Sequence, residues 1–282
     1  MGSTGYTVRV MSRNELDTAI EWAAREGWNP GVNDGDSFYY TDPEGFFIGE
    51  LDGKPIGCIS AVSYGNKFGF IGFYIVKSEF RGMGYGIKLW RAAMKHLDGS
   101  NIGLDGVVAQ QANYKKSGFS LAYKNIRYEG ICSPSPEKSS NLVGIDKISL
   151  DELLEYDDKF FPVPRHDFMK KWLDPAARKF VAFVRDGVIM GCGVIRACRK
   201  GFKIGPLFAD SENIAEEIFN ELIKTAGSSP VVLDVPESNA AALKLVKMHN
   251  MIKSFETARM YTGEFYKLPF DKLYGVTTFE LG

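Results

Sequence analysis

"EFRGMGYGIKLW", Glu79 to Trp90, decides how this chain is read. Three glycines at alternate positions, Gly82, Gly84 and Gly86, follow Arg81. They lead into a helical pattern with Ile87, Trp90, Met94 and Leu97 on one face, and the apolar run "FGFIGFYIV" (Phe68 to Val76) precedes them. Glycine loses more freedom on ordering than any other residue, so three of them need a reason. A strand, a bare loop and a helix start present backbone N–H groups to an anion. The first helical amides lack internal partners, and the helix dipole favours negative charge there. The spacing then narrows the choice. A dinucleotide fold wants G-x-G-x-x-G and a Walker loop ends in G-K-[ST]; G-x-G-x-G is neither. A tight turn that only packs closely is a further reading, so the rest of the chain must decide.

Composition excludes several classes. The 282 residues suggest two domains, and an apolar content of 45% is enough for a core in each. A net charge of -1 argues against a nucleic-acid surface. No apolar run approaches the roughly 20 residues of a membrane span. The start "MGSTGY" has no apolar signal core, and Tyr6 stands where a myristoylation site needs Ser or Thr. Four cysteines (Cys58, Cys132, Cys192, Cys198) form no C-x-x-C pair and read as reduced, buried thiols of a cytoplasmic protein. Three scattered histidines (His96, His166, His249) predict no metal site.

The chain repeats itself. "FFIGELDGKPIGCISAV" from Phe46 matches "KFVAFVRDGVIMGCGVI" from Lys179, with Asp52-Gly53 against Asp186-Gly187 and Gly57-Cys58 against Gly191-Cys192. One residue out of step, Ile71-Gly72 matches Ile204-Gly205. Each copy reads as a D-G hairpin, a further strand and an amphipathic helix, the second carrying Ile214, Ile218 and Leu222. In the first copy a strand "YTVRVM", a helix over 15–25 and the loop "GWNPGVNDGD" come before the hairpin. A strand "IGLDGVVA", a short helix over "QANYKKSG" and a last strand "FSLAYKNIRYEG" close the unit. The fold class expected is α+β: a mixed, mostly antiparallel sheet flanked by helices, duplicated. The Ser/Pro-rich "CSPSPEKSSN" (Cys132 to Asn141) marks the seam between units 1–133 and 142–282, each expected to fold by itself.

With the repeat in place, Arg81-x-x-Gly84-x-Gly86 resembles the R/Q-x-x-G-x-G/A pyrophosphate motif of the GNAT superfamily of N-acetyltransferases. Val76, five residues before Arg81, is similar to the family's strand-four valine, and "NYKKSGF" (Asn113 to Phe119) resembles its late helix with a tyrosine four residues before Gly-Phe. The resemblance covers the whole first copy. The second shares the fold and departs from the motifs, so it reads as a degenerate copy without the pyrophosphate loop. Alignment of Gly72 with Gly205 sets Ile214, Glu217 and Phe219 opposite Arg81, Gly84 and Gly86, and Val246 and Asn250-Met251 opposite Tyr114 and Gly118-Phe119.

The resemblance implies acetyl-CoA as the acyl donor, with no metal. Cofactor contacts would come from the backbone of Tyr74, Ile75 and Val76 and from Arg81, Gly82, Met83, Gly84, Tyr85 and Gly86. An amide near Ile75 or Val76 would meet the oxyanion, and Tyr114 would protonate the leaving thiolate. The base is unassigned among Glu50, Asp52, Glu79, Asp34, Asp36 and water. Trp28, Asn29 and Asp34 in the loop after the first helix, and Arg165 in "FFPVPRHDF", are the candidates for the substrate side. The expected activity is N-acetyl transfer to a primary amine, of a small metabolite because a second unit beside the cleft would enclose it. A protein or peptide N-acetyltransferase and a non-catalytic acyl-CoA binding or sensing protein are the alternatives. No nucleic-acid or membrane partner is expected, and a homodimer stays open.

Overall fold

The two Asp-Gly dipeptides turn as their composition demands. Asp52 and Gly53 have φ of 50° and 75°, and Asp186 and Gly187 have 51° and 76°. Two consecutive positive φ values make the tight turn whose twist suits a hairpin. A computed structural model describes residues 5–65, 67–135 and 139–282; three seam residues, 136–138, lie outside them.

The first copy runs β1 (Tyr6–Val10), α1 (Arg13–Arg25), α2 (Asp34–Tyr39), β2 (Phe46–Leu51), β3 (Lys54–Ser63), β4 (Phe68–Val76), α3 (Tyr85–His96), β5 (Asn101–Val107), α4 (Gln111–Lys116) and β6 (Ser120–Gly130). The second runs β7 (Leu142–Val143), α5 (Leu150–Asp157), α6 (His166–Trp172), β8 (Arg178–Arg185), β9 (Val188–Ala197), β10 (Phe202–Ala209), α7 (Glu212–Ile223), β11 (Val231–Pro236), α8 (Ala240–Met248), β12 (Ile252–Tyr261) and β13 (Leu273–Gly275). Helix α1 opens on a Ser12/Glu15 capping box, with Ser12 N donating to Glu15 Oε2 at 2.8 Å, and buries Leu16, Ala19, Ile20 and Ala23. The last three residues of the stretch read as loop after it, Asp34 to Asp36, open α2. In α3 the buried residues are Leu89, Trp90 and Ala93, while Ile87, expected on the core face, is 47% exposed at the helix start.

One mixed sheet runs through both copies in the order β1-β2-β3-β4-β5-β12-β6-β11-β10-β9-β8-β7. Among the described residues only β4/β5 and β10/β11 pair in parallel. The fold class is the one expected; the expectation of two self-sufficient units is corrected. Strand β12, the end of the second copy, lies between β5 and β6 of the first. Strand β6 in turn pairs β11 of the second. The copies have exchanged their last strands. Two buried, two-pronged ion pairs mark the exchange: Arg127 of β6 with Asp234 of β11, and Arg259 of β12 with Asp105 of β5.

The core is shared for the same reason. Phe38 of the first copy stacks on Trp172 of the second, and Phe68 meets Phe161 edge-on. After β13 the segment from Val276 to Leu281 is buried between the copies. Its backbone is held by Tyr64 Oη to Leu281 O at 2.9 Å, and Arg165 Nη2 donates to Thr277 Oγ1 at 2.8 Å.

Candidate active site

Strand β4 is paired along part of its length. Ile71 is its last residue opposite β5, facing Leu104, and beyond it the two parallel strands diverge. On the other edge Cys58 and Ser60 of β3 face Ile75 and Gly72, so β4 carries one extra residue and bulges. Phe73 sits in the bulge at φ 46°, a conformation that side-chain-bearing residues seldom adopt. Its buried ring against Phe38 and its carbonyl, which accepts the Cys58 Sγ–H at 3.1 Å, hold it there. The bulge turns the edge of Tyr74–Val76 into a gap with no strand opposite. An extended ligand carrying amides can pair with such an edge.

The quoted glycines lie beside this gap, and they do different work. Gly82 and Gly84 have φ of 77° and 84°, and a Cβ on either would meet no atom within 4 Å. Gly84 is the N-cap of α3, and no side chain among the described residues caps that helix. Left-handed backbone, open space and bare helical amides together fit a diphosphate. Gly86 serves packing: a Cβ there would lie 2.7 Å from Tyr74 Oη. Arg81 anchors the loop, donating Nε–H to Val76 O at 2.7 Å and pairing with Glu26 at the end of α1.

The second copy has neither feature. Its link from β10 to α7 is Asp210 and Ser211 alone, and Ser211 Oγ accepts from Ile214 N to cap the helix. The first copy spends residues 77–84 on the same connection. The alignment that placed Glu217 and Phe219 at the loop is therefore corrected. The loop is deleted, and Phe219 is a core residue of α7. The gap beyond the β10/β11 pairing is filled from within: β13 pairs β10, Leu207 opposite Gly275, and Val276 N donates to Asp234 O. The late-helix comparison stands, since Val246 occupies the place of Tyr114 and Asn250, at φ 53°, that of Gly118.

Tyr114 lies on α4 at the floor of the first copy's cleft. Its ring packs on Trp90, and the missing Cβ of Gly106 makes room for it. No hydrogen bond joins its hydroxyl to the described residues, and burial pushes the phenol well above its ordinary value, so it stays protonated. The cleft walls also include Trp28, Gly72, Tyr74, Asp105, Gln110, Phe255, Phe279 and Glu280. The space enclosed is about 70 Å³, so the end of a substrate fits and not its bulk.

Of the four substrate candidates only Trp28 reaches this cleft; its carbonyl accepts from Arg127 Nη1 at 2.7 Å. Asp34 is buried, taking Arg178 at 3.0 Å and Arg196 at 3.2 Å, and both guanidiniums stack on Trp172. Burial would raise its carboxyl, yet Arg196 and Arg178 hold it below the usual range. It pins one copy to the other. Asn29 bonds the backbone of Lys200 in both directions. Arg165 grips Asp157 with two hydrogen bonds of 2.8 Å and stacks on Phe161. Neither faces the cleft. The base candidates are also engaged elsewhere: Glu50 with Arg9, Asp52 with Gly5 N, Asp36 with Arg13, and Glu79 with Ser78. Glu280 went unnoticed in the sequence. The only available signal was a lone charge in the otherwise uncharged "LYGVTTFELG".

This geometry defines a two-copy acyltransferase fold, and the comparisons with known proteins name its class. The chain belongs to the GNAT acetyltransferase family. The Acetyltransferase (GNAT) family matches residues 14–119 and the Acetyltransferase (GNAT) domain residues 153–275. A relative from Pseudoalteromonas sp. (strain SANK 73390), a holothin acyltransferase, is 31% identical over 98% of this chain and 95% of its own. A solved structure from Pyrococcus horikoshii superposes with a TM-score of 0.84 at 22% identity, covering 100% of this chain and 98% of the other. A tandem GNAT protein from the clavulanic acid biosynthesis pathway gives 0.62 at 9% identity, covering 93% and 100%. The chain is thus an acyltransferase built as a tandem GNAT, of a family whose members use acetyl-CoA. No helix among the described residues is long and apolar enough to cross a membrane.

Proposed function

We propose that the first copy transfers an acetyl group from acetyl-CoA to a primary amine of a small metabolite, in the cytoplasm and without a metal. What carries this reading is an asymmetry between the copies. The first has an uncapped helix start, two open left-handed glycines and a bare strand edge side by side; the second has a capped helix and a filled gap. The diphosphate would sit on the amides from Gly82 to Gly86, and the pantetheine arm along Tyr74–Val76. When bound, the cofactor supplies an activated acyl group. The Val76 amide, on the edge of β4 turned away from β3, would receive a developing oxyanion. Tyr114, kept protonated by burial, holds its O–H toward the cleft for the departing sulfur. The second copy's terminal segment, as one wall of the cleft, supports a small acceptor over a protein chain, and the relative's acceptor, as its name states, is holothin.

An amine-panel assay with acetyl-CoA and free-thiol detection tests the activity, and calorimetry tests the site. One equivalent of acetyl-CoA bound per chain and amine-dependent thiol release are expected. Binding without thiol release for any amine would leave a non-catalytic acyl-CoA protein as the better reading.

A further inference from the structure

Glu280 is a charged side chain that the fold has carried a long way. It belongs to the second copy's terminal segment, yet it lies in the first copy's cleft. That segment passes β10 at Gly205, where a Cβ would meet Thr277 O at 2.5 Å, and then β4 at Gly72, where a Cβ would meet Glu280 O at 2.0 Å. Two glycines therefore clear the path that brings Glu280 to the diverging edge of β4. The side chain is 3% exposed and shares the cleft with Tyr74 and Tyr114.

A buried carboxylate ordinarily has a cationic partner, because desolvating a lone charge is expensive. Its neighbours in the cleft region have theirs: Asp105 is held by Arg259 and Asp234 by Arg127. No Lys or Arg among the described residues comes within ion-pair distance of Glu280. Its carboxylate accepts from Thr278 Oγ1, and its own N–H donates to the same oxygen at 2.8 Å. The turn so formed fixes the rotamer and leaves the other carboxylate oxygen unbonded. The groups that face it are Asp105 on β5, Tyr74 on β4, Tyr114 on α4, Arg127 on β6, Lys203 on β10 and the Cys198 thiol. Arg127 is already paired, and Lys203 Nζ donates to Trp28 O at 3.4 Å.

We infer that Glu280 is the carboxylate that receives the acceptor's ammonium group and takes its proton; this rests on the amine-acylation reading above. The ammonium would give Glu280 the direct ion-pair contact that Arg127 and Lys203, which act on it only from a distance, do not. One N–H proton passes to the Glu280 carboxylate, and the freed lone pair attacks the thioester carbon. The N–C bond forms, the C–S bond breaks, and the thiolate takes the Tyr114 proton. The amide nitrogen's remaining extra proton leaves to water, Glu280 later releases its own, and Tyr114 is reprotonated from solvent. Acid and base stand on separate elements lining one narrow cleft.

The test compares Glu280→Gln with the unaltered protein on two acceptors of one shape, an alkylamine and its alkoxyamine analogue. The alkoxyamine is uncharged at neutral pH and needs no deprotonation before attack. Glutamine keeps the volume and can accept the Thr278 hydrogen bond. The expected result is a loss of about 10²-fold in kcat/KM for the alkylamine, with the acid limb of its pH profile abolished. The alkoxyamine rate and acetyl-CoA affinity should stay nearly unchanged. An equal loss on both acceptors would make Glu280 structural and overturn the inference, as would no loss on either. If the unaltered protein acylates no amine while binding acetyl-CoA, the parent reading fails and the inference with it. The two failures are thus told apart.

Discussion

Replacing Asp234 with alanine tests whether the strand exchange makes one cooperative body of the two copies. Asp234 and Arg127 form two hydrogen bonds of 2.7 and 2.8 Å, and their side chains are 2% and 4% exposed. Removing the carboxylate leaves the guanidinium with Trp28 O and the faces of Phe279 and Phe255. Lys203, fully buried nearby, then keeps Glu280 as its remaining acidic neighbour. Breaking one side of a buried pair costs about 3–5 kcal/mol, a large share of the roughly 5–15 kcal/mol that holds a domain together. The double change Arg127→Met/Asp234→Leu removes both charges and should recover most of the loss. The pH dependence follows. Burial alone would raise the Asp234 carboxyl, but Arg127, Lys203 and Arg196 hold it below its ordinary value. The unfolded chain therefore binds more protons in that interval. The pair's stabilisation is complete above an unfolded value near 3.9 and is lost as pH falls through the depressed folded value. Urea unfolding followed by tryptophan fluorescence, with Trp22, Trp28 and Trp90 in one copy and Trp172 in the other, should show one transition. A loss below about 1 kcal/mol on Asp234→Ala, or separate transitions for the two copies, would refute this reasoning.

Three further outcomes are expected. Gly84→Ala, strained by roughly 1 kcal/mol at φ 84° but clear of protein atoms, should keep the fold and lose at least about tenfold in acetyl-CoA affinity by calorimetry, whereas Gly86→Ala should instead disturb Tyr74 and lower the melting temperature. Unchanged affinity for the first would remove the cradle's basis. Tyr114→Phe deletes a hydroxyl with no hydrogen-bond partner among the described residues, so stability should hold within about 0.5 kcal/mol while turnover falls about 10²-fold; full turnover at saturation would make it a packing residue. A fragment ending near Ser140 loses β12 from beside β5 and β11 from beside β6, and it should fail to give a soluble folded protein; a monomeric, fully folded fragment would contradict the exchange.

The sequence was legible wherever the physics is local. Asp-Gly turns and the glycines after Arg81 each need a backbone conformation that few residues provide, so the residues announce it. The helix-face residues Ile214, Ile218 and Leu222 are all buried as their spacing requires. What was hidden is pairing over long separations. Arg127 and Asp234 are 107 positions apart, and nothing in "NIRYEG" says that its arginine will cross to the other copy. Asp34 read as a substrate-side carboxylate because its partners, Arg178 and Arg196, lie in the second copy. The shortened link before α7 was masked because Gly205 lies upstream of it, and an ungapped match from that glycine carries the wrong offset into the helix.

The exchange also explains how a second copy without the glycine loop contributes to the first copy's cleft. Its last strand completes the first copy's sheet, and its terminal segment forms one wall of the first copy's cleft. That same segment, as β13, occupies the groove in its own copy. Filling one gap and lining the other are thus two consequences of a single path through the molecule. Any change that reopened the second groove would have to move β13, and with it Phe279 and Glu280 a few residues on. The two copies are therefore tied in function as they are in packing: if the open groove acylates an amine, the groove that closed is the reason its acceptor side has a wall.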